Sequence, residues 1–145
     1  AFVVPVQAPQ LRTAAALALG VPLLRIALAA MWIWTGIVSL GLYPVARSYE
    51  LLAAVGLHGD LATGALYGAA GLDLALGVLT LWAPASVRRW VWGAQLALIA
   101  GYTAIISIFL PEYWLHPYGP ISKNLPIMAA IGLLWWLEPP RARPS

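Results

Sequence analysis

The sequence predicts an all-α integral membrane protein, a bundle of four transmembrane helices with an ordered outer loop as its cap. Apolar residues make up 62% of the 145 positions and charged residues only 9%, whereas soluble domains are about half apolar and roughly a quarter charged. The apolar residues form long runs that polar, proline-containing or glycine-containing segments separate. Runs of about 20 apolar residues can cross roughly 30 Å of hydrocarbon. Composition and run length therefore indicate a small polytopic membrane protein.

The ends of the predicted helices are set by helix-breaking and charged residues. We expect Gly20 and Pro22 to separate an interfacial helix from the first transmembrane helix, since one straight helix over residues 13–42 would be about 45 Å long. Pro84 and Pro111 end the second and third transmembrane helices. The segment between the first two is expected to lie in the interface as a lid. The predicted helices cover residues 11–19, 23–42, 45–57, 61–82, 91–110 and 124–137.

These helices divide the chain into three parts. Residues 1–22 are the N-terminal interfacial segment, residues 23–138 the four-helix membrane domain and residues 139–145 a cytoplasmic tail. Asp60 is predicted to cap the N-terminus of the second transmembrane helix. A signal peptide is the competing interpretation of the first apolar run, but the run is too long for one and no small-residue cleavage site follows it.

The distribution of cations predicts the orientation in the membrane. With four crossings, most arginines fall on one side, and the positive-inside rule makes that side cytoplasmic. Both termini and the short loop between the second and third helices are then inside. The cations assigned to the inner side are Arg12, Arg25, Arg88, Arg89, Arg141 and Arg143, and those assigned to the outer side are Arg47 and Lys123.

Two stripes of small residues predict close helix packing. Helices in lipid associate where small residues let their backbones approach. The stripe that begins with Gly64 and Gly68 on the second helix is expected to meet a similar stripe on the third, or to form a homodimer interface. The stripes consist of Gly64, Gly68, Gly71 and Ala75, and of Gly93, Ala97, Gly101 and Ala104.

Asp73 lies about half-way along the second transmembrane helix, on the side opposite the glycine stripe. A carboxylate at this depth costs several kcal/mol unless it is paired, protonated or hydrated. Arg25, about one turn into the first helix, is a candidate structural partner for a direct or water-bridged hydrogen bond. The alternative is that Asp73 handles protons or a ligand, and the sequence leaves both open.

The outer loop, residues 111–126, contains five prolines or glycines, which disfavour regular structure, and many aromatic residues, which favour an ordered cap. Lys123 opens the fourth helix, where the helix dipole disfavours a cation. We therefore expect it to contact Glu112, Asp60 or a bound anionic group. Asn124 is expected to cap the helix or clamp the loop, and His116 with Tyr118 to form the inner wall of the cap.

The sequence offers no recognisable catalytic constellation. Cysteine is absent, which excludes disulfide and thiolate chemistry. The serines lack a nucleophile-elbow context, and His58 and His116 have no accompanying ligand pattern that would indicate a metal or haem site. The eight Lys and Arg residues form no basic patch, so nucleic acid is not expected as a partner. An enzyme acting by itself is not predicted.

Several strings carry a resemblance to a known family. Over residues 24–138 the chain resembles the DoxX-like family of small four-helix bacterial membrane proteins. The specific segments are Leu72-Asp-Leu-Ala-Leu-Gly77 and Lys123-Asn-Leu-Pro126, with Trp32-Ile-Trp-Thr-Gly36 in support. The resemblance implies a multi-pass protein of the bacterial inner membrane. The wider superfamily includes a thiosulfate:quinone oxidoreductase subunit and, more distantly, membrane chaperones and cargo receptors.

Two functional hypotheses follow. The first is a non-catalytic accessory or partner-binding subunit in contact with membrane lipid, with a membrane or redox protein as its candidate partner. The second is a small binding protein or enzyme that holds a quinone or lipid, with Arg25 and Asp73 as the polar floor of its pocket and Lys123 at the mouth.

Overall fold

The computed structural model describes residues 7–139, which contain five α-helices and no strand. A π-helix, Val38–Leu42, continues the first α-helix, and a 3-10 helix, Pro111–Leu115, follows the fourth. The α-helices are α1, Ala8–Ile37; α2, Val45–Ala54; α3, Gly59–Trp82; α4, Ala85–Phe109; and α5, Asn124–Leu137.

Three helical segments are long and apolar enough to cross a membrane: α1 with its π-helical continuation, α3 and α4. The 14 residues of α5 extend about 21 Å, less than the roughly 30 Å of hydrocarbon. The all-α membrane fold is therefore confirmed, and the bounds of α5 agree with those predicted. A fourth crossing by α5 stays a prediction.

The expected break at Gly20 and Pro22 is wrong, because α1 runs through both residues. Proline removes a single backbone hydrogen bond, and membrane helices tolerate this because the freed carbonyl finds other partners. Residues 7–20 are all exposed, so this part of α1 contributes nothing to the buried core. Predictions that concern residues 1–6 and 140–145, including those for Arg141 and Arg143, lie outside the described residues.

Two other helix starts differ from the prediction. The N-cap of α3 is His58, and Asp60 lies in the first turn without a capping hydrogen bond, where its charge still favours the positive helix end. Helix α4 begins at Ala85, directly after Pro84, because proline is well suited to the start of a helix. Arg88 therefore lies within α4 and not in a loop.

Helices α1 and α3 pack antiparallel, with glycines at their closest approach. A Cβ placed on Gly77 would lie 3.1 Å from the carbonyl oxygen of Ala29, and one on Gly36 would lie 3.0 Å from the carbonyl oxygen of Ala70. These distances leave no room for a larger residue. Small residues thus bring two membrane helices together as expected, but at other positions than the predicted stripes.

The predicted contact between the glycine stripes of α3 and α4 is wrong. A Cβ on Gly64, Gly68, Gly71 or Gly101 would meet no atom within 4 Å. Helix α3 instead packs against α1 through its opposite face, and α4 packs on α5. The Gly64 and Gly68 face is consequently open, and its use in a homodimer stays a prediction.

Candidate functional site

Arg25 does not pair directly with Asp73. Its guanidinium donates to the carbonyl oxygen of Thr80 at 3.0 and 3.2 Å and to that of Leu81 at 3.2 Å. The Thr80 carbonyl lacks a helical donor because the residue four positions on is Pro84, which has no N–H. A cation at a helix C-terminus is also favourable. Arg25 therefore caps α3, about two turns from Asp73, and is not the floor of a pocket with it.

A buried glutamine that the sequence analysis did not single out extends this cluster. Gln95 is 0% exposed and donates from Nε2 to Thr80 Oγ1 at 2.6 Å. The Thr80 hydroxyl donates in turn to the carbonyl of Leu76 at 2.6 Å. The available signal was an amide inside an apolar run, since such a group needs a partner in hydrocarbon.

A second missed residue, Glu138, joins the ends of α4 and α5. Its carboxylate lies 3.4 Å from the Arg88 guanidinium and accepts from Trp92 Nε1 at 3.0 Å. Within residues 7–139 this is the one ion pair. The side chain of Glu138 is only 8% exposed, so the contact fixes the α4–α5 hairpin at the end opposite the outer loop.

Asp73 lines a polar pocket of about 230 Å³ between α1, α3, α4 and α5. Asp73 is 5% exposed, and its Oδ1 has no hydrogen-bond partner among the described residues. Trp32 lines the same pocket, and its buried Nε1 likewise lacks an acceptor among the described residues. The pocket is lined by Met31, Trp32, Thr35, Asp73, Ile99, Tyr102, Lys123, Asn124 and Ile127.

Helix geometry explains why Asp73 faces this pocket. It lies roughly opposite the open Gly64 and Gly68 face of α3, as the periodicity predicted. On α1, Met31 and Trp32 lie on the same face as Thr35, because Thr35 follows Met31 by four residues and Trp32 by three. Thr35 donates its hydroxyl back to the carbonyl of Met31 at 2.8 Å.

The start of α5 supplies the remaining polar groups of the polar pocket. Asn124 donates from Nδ2 to Thr103 Oγ1 at 3.0 Å, so it clamps α5 to α4, whereas the predicted roles were a helix cap or a loop clamp. This clamp holds the adjacent Lys123, the N-cap of α5, beside the pocket. The structure thus brings Lys123, Asn124 and Asp73 to one cavity.

The predicted salt bridge of Lys123 to Glu112 or Asp60 is wrong. In the described part of the chain no carboxylate lies within 4.0 Å of Lys123. Glu112 and Asp60 are both exposed, and Glu112 belongs to the 3-10 helix on the outer surface of the cap. An anionic group bound to Lys123 stays a proposal.

The cap is more regular than predicted, and His116 and Tyr118 do not form its inner wall. Tyr118 is 86% exposed and donates its backbone N–H to His116 Nδ1 at 3.3 Å. The His116 ring stacks on Tyr113 and is also exposed. The buried residue of the cap is Ile121, because the 3-10 helix and the following turns bring this apolar side chain inward.

A second cavity, the apolar chamber, lies between α2, α3 and α4 and has a volume of about 540 Å³. Gly64 and Gly68 of α3 line it, and Tyr102 belongs to both this chamber and the polar pocket. Its lining residues are Leu51, Leu52, Val55, Leu57, Gly64, Ala65, Gly68, Ala69, Leu72, Tyr102, Ile105, Ile106, Leu110 and Tyr113.

Among residues 7–139, no three His, Asp or Glu side chains converge on a point that could hold a metal ion. The comparisons with known proteins give one result. A family sequence model described as the DoxX-like family matches residues 29–138. No curated protein and no solved structure matches the chain.

Proposed function

The chain belongs to the DoxX-like family, which its match over residues 29–138 establishes, and from this premise we propose that it binds a small hydrophobic molecule by its polar head. The polar pocket around Asp73 is the binding site. The molecule is a quinone or a lipid, and the chemistry of the pocket favours a quinone or its quinol.

One observation carries this proposal: two residues that line the same cavity each have a buried polar atom without a partner. Asp73 Oδ1 and Trp32 Nε1 each lack a hydrogen bond in the described chain. Leaving such groups unsatisfied costs about 1 to 3 kcal/mol each, and more when the group is charged. A molecule with a hydroxyl for Asp73 and a carbonyl for Trp32 would recover this energy.

The other lining residues narrow the chemistry of the head group. Lys123 and the amides at the start of α5 favour an oxygen with partial or full negative charge. Apolar and aromatic side chains, including Ile99, Tyr102 and Ile127, form most of the remaining wall. A planar ring with oxygen substituents suits this mixture better than a phosphate, which needs several cations or water.

We also propose that α5 crosses the membrane, so that the fold has four spans with both termini inside. The ion pair of Arg88 with Glu138 at one end of α5 and Lys123 at the other supports this arrangement. A 14-residue helix can span if the bilayer thins locally and the flanking polar side chains reach the interface.

The binding proposal is tested by native mass spectrometry of the gently purified protein, with quinone and lipid extraction of the same sample. Asp73→Asn and Lys123→Gln are expected to lose the bound molecule. Asp60→Asn and Arg47→Gln, which likewise remove one carboxylate and one cation but at exposed positions, are the matched controls. Retention of the molecule by the first two variants, or a wild-type protein free of any quinone or lipid adduct, contradicts the proposal.

The exposed N-terminal part of α1 supports a second candidate function, that of an accessory subunit. Residues 7–20 are exposed throughout, although Leu11 and Leu19 are large and apolar. A photo-crosslinker at Leu19 is expected to capture a membrane or redox protein. The same label at Leu115, which is exposed in the cap, is the control, and equal capture at both positions refutes a specific contact.

A further inference from the structure

We infer that the apolar chamber holds the hydrocarbon tail of the same molecule whose head occupies the polar pocket. This inference rests on the proposed function. The inference extends the proposed function by specifying an amphipathic ligand with a single long hydrocarbon chain, and it places that chain between α2, α3 and α4.

The sizes of the two cavities support a divided site. Pockets for small molecules usually measure about 300 to 1,000 Å³. The polar pocket, at about 230 Å³, is smaller than this and can take only a head group. The apolar chamber, at about 540 Å³, lies within the range and offers space for the rest of the molecule.

The two cavities are neighbours. Tyr102 on α4 lines both of them, and on α3 Leu72 lines the chamber while the next residue, Asp73, lines the polar pocket. A molecule that passes Tyr102 therefore has its polar end at Asp73 and its apolar end in the chamber. A ligand without a tail leaves the chamber unused.

The chamber owes its space to missing side chains. A Cβ on Gly64 or Gly68 would meet nothing within 4 Å, although both residues line the chamber. Helix α2 closes the outer end, where Leu51, Leu52 and Val55 contribute to the wall. The hydroxyls of Tyr49 and Thr63 share a 2.9 Å hydrogen bond that ties α2 to α3 as a lid.

The physical basis of tail selection is steric. Within a bilayer a hydrocarbon tail gains no hydrophobic free energy by leaving lipid for protein. The chamber therefore selects the tail by shape, and a side chain placed inside it must exclude the tail. A side chain that fills the chamber should therefore weaken the binding of tailed ligands alone, since the polar head makes its contacts in the other cavity.

The experiment compares two probes in nanodiscs, a decyl-substituted benzoquinone and the same benzoquinone without the decyl chain, with affinity measured by quenching of tryptophan fluorescence. Gly68→Leu is expected to weaken the decyl probe by about tenfold or more, as an overfilled site does, and to leave the short probe unchanged. Gly20→Leu, which adds the same volume at an open position outside the chamber, should change neither.

Each other result decides the question. If Gly68→Leu leaves both affinities unchanged, or weakens both equally, the chamber does not hold the tail. Asp73→Asn should weaken both probes, and if it weakens neither, the proposed function itself fails. Gly64→Leu replaces Gly68→Leu if the latter does not give the helical far-UV spectrum of the wild type.

Discussion

The contact of Arg88 with Glu138 leads to a prediction with an unusual sign: a second substitution should restore stability that the first removes. Arg88→Ala leaves the Glu138 carboxylate, 8% exposed, with Trp92 Nε1 as its remaining donor. Glu138→Gln then removes the unpaired charge but keeps an oxygen that can accept from Trp92. The double variant should therefore be more stable than Arg88→Ala alone.

The magnitude follows from the burial of the two partners. Removing one member of a fully buried ion pair costs about 3 to 5 kcal/mol, whereas an exposed pair contributes about 1 kcal/mol or less. The Arg88 side chain is 23% exposed, which places the pair between these limits. We expect Arg88→Ala to lower the free energy of unfolding by about 2 to 3 kcal/mol, and Glu138→Gln to recover about 1 kcal/mol of this loss.

The assay is unfolding in mixed micelles with increasing sodium dodecyl sulfate, followed by far-UV circular dichroism. Arg89→Ala is the matched control, because Arg89 neighbours Arg88 but is exposed, and surface changes of this kind stay within about 0.5 kcal/mol. Additive losses in the double variant, or an Arg89→Ala loss equal to that of Arg88→Ala, would refute the reasoning.

Three further predictions concern packing, the cap of α3 and topology. Gly77→Leu should destabilise the protein by about 2 kcal/mol or more in the same unfolding assay, because the new leucine side chain meets the α1 backbone. Gly71→Leu is the control and should have little effect. Equal losses of stability in the two variants would contradict this packing. Arg25→Ala and Asp73→Asn should change the free energy of unfolding additively, since the two residues act in separate sites. A coupling energy above about 0.5 kcal/mol would instead indicate that Arg25 and Asp73 interact. The chain has no cysteine, so single cysteines can report the topology. Leu115→Cys should react with an impermeant maleimide on intact cells, whereas a cysteine appended at the C-terminus should react only after lysis. Equal labelling of both before lysis would place the cap and the C-terminus on one side of the membrane.

The sequence by itself determined which segments are helical and apolar, because these properties depend on local composition and on the helical period. The bounds of α5 and the C-terminal end of α3, just before Pro84, follow from such local signals. The placement of Asp73 away from Gly64 and Gly68 also needs only the geometry of one helix. The family resemblance likewise rests on short strings of residues.

The tertiary structure alone decided which faces and which polar groups meet. Several helices offer small residues, and only the antiparallel register of α1 on α3 selects Gly36 and Gly77 over the longer stripe. The same register carries Arg25 to the carbonyls of Thr80 and Leu81 and away from Asp73. Pairing of this kind depends on the relative shift and rotation of two helices, which hydropathy does not encode.

The approach of Lys123 to the cavity of Asp73 has the same cause. It requires α5 to lie against α4, where Asn124 reaches Thr103 across the interface. Residues so far apart in the sequence meet because packing and hydrogen bonds fix the position of one helix on another. A polar group in an apolar run indicates that a partner is needed, but which residue is that partner depends on the folded bundle.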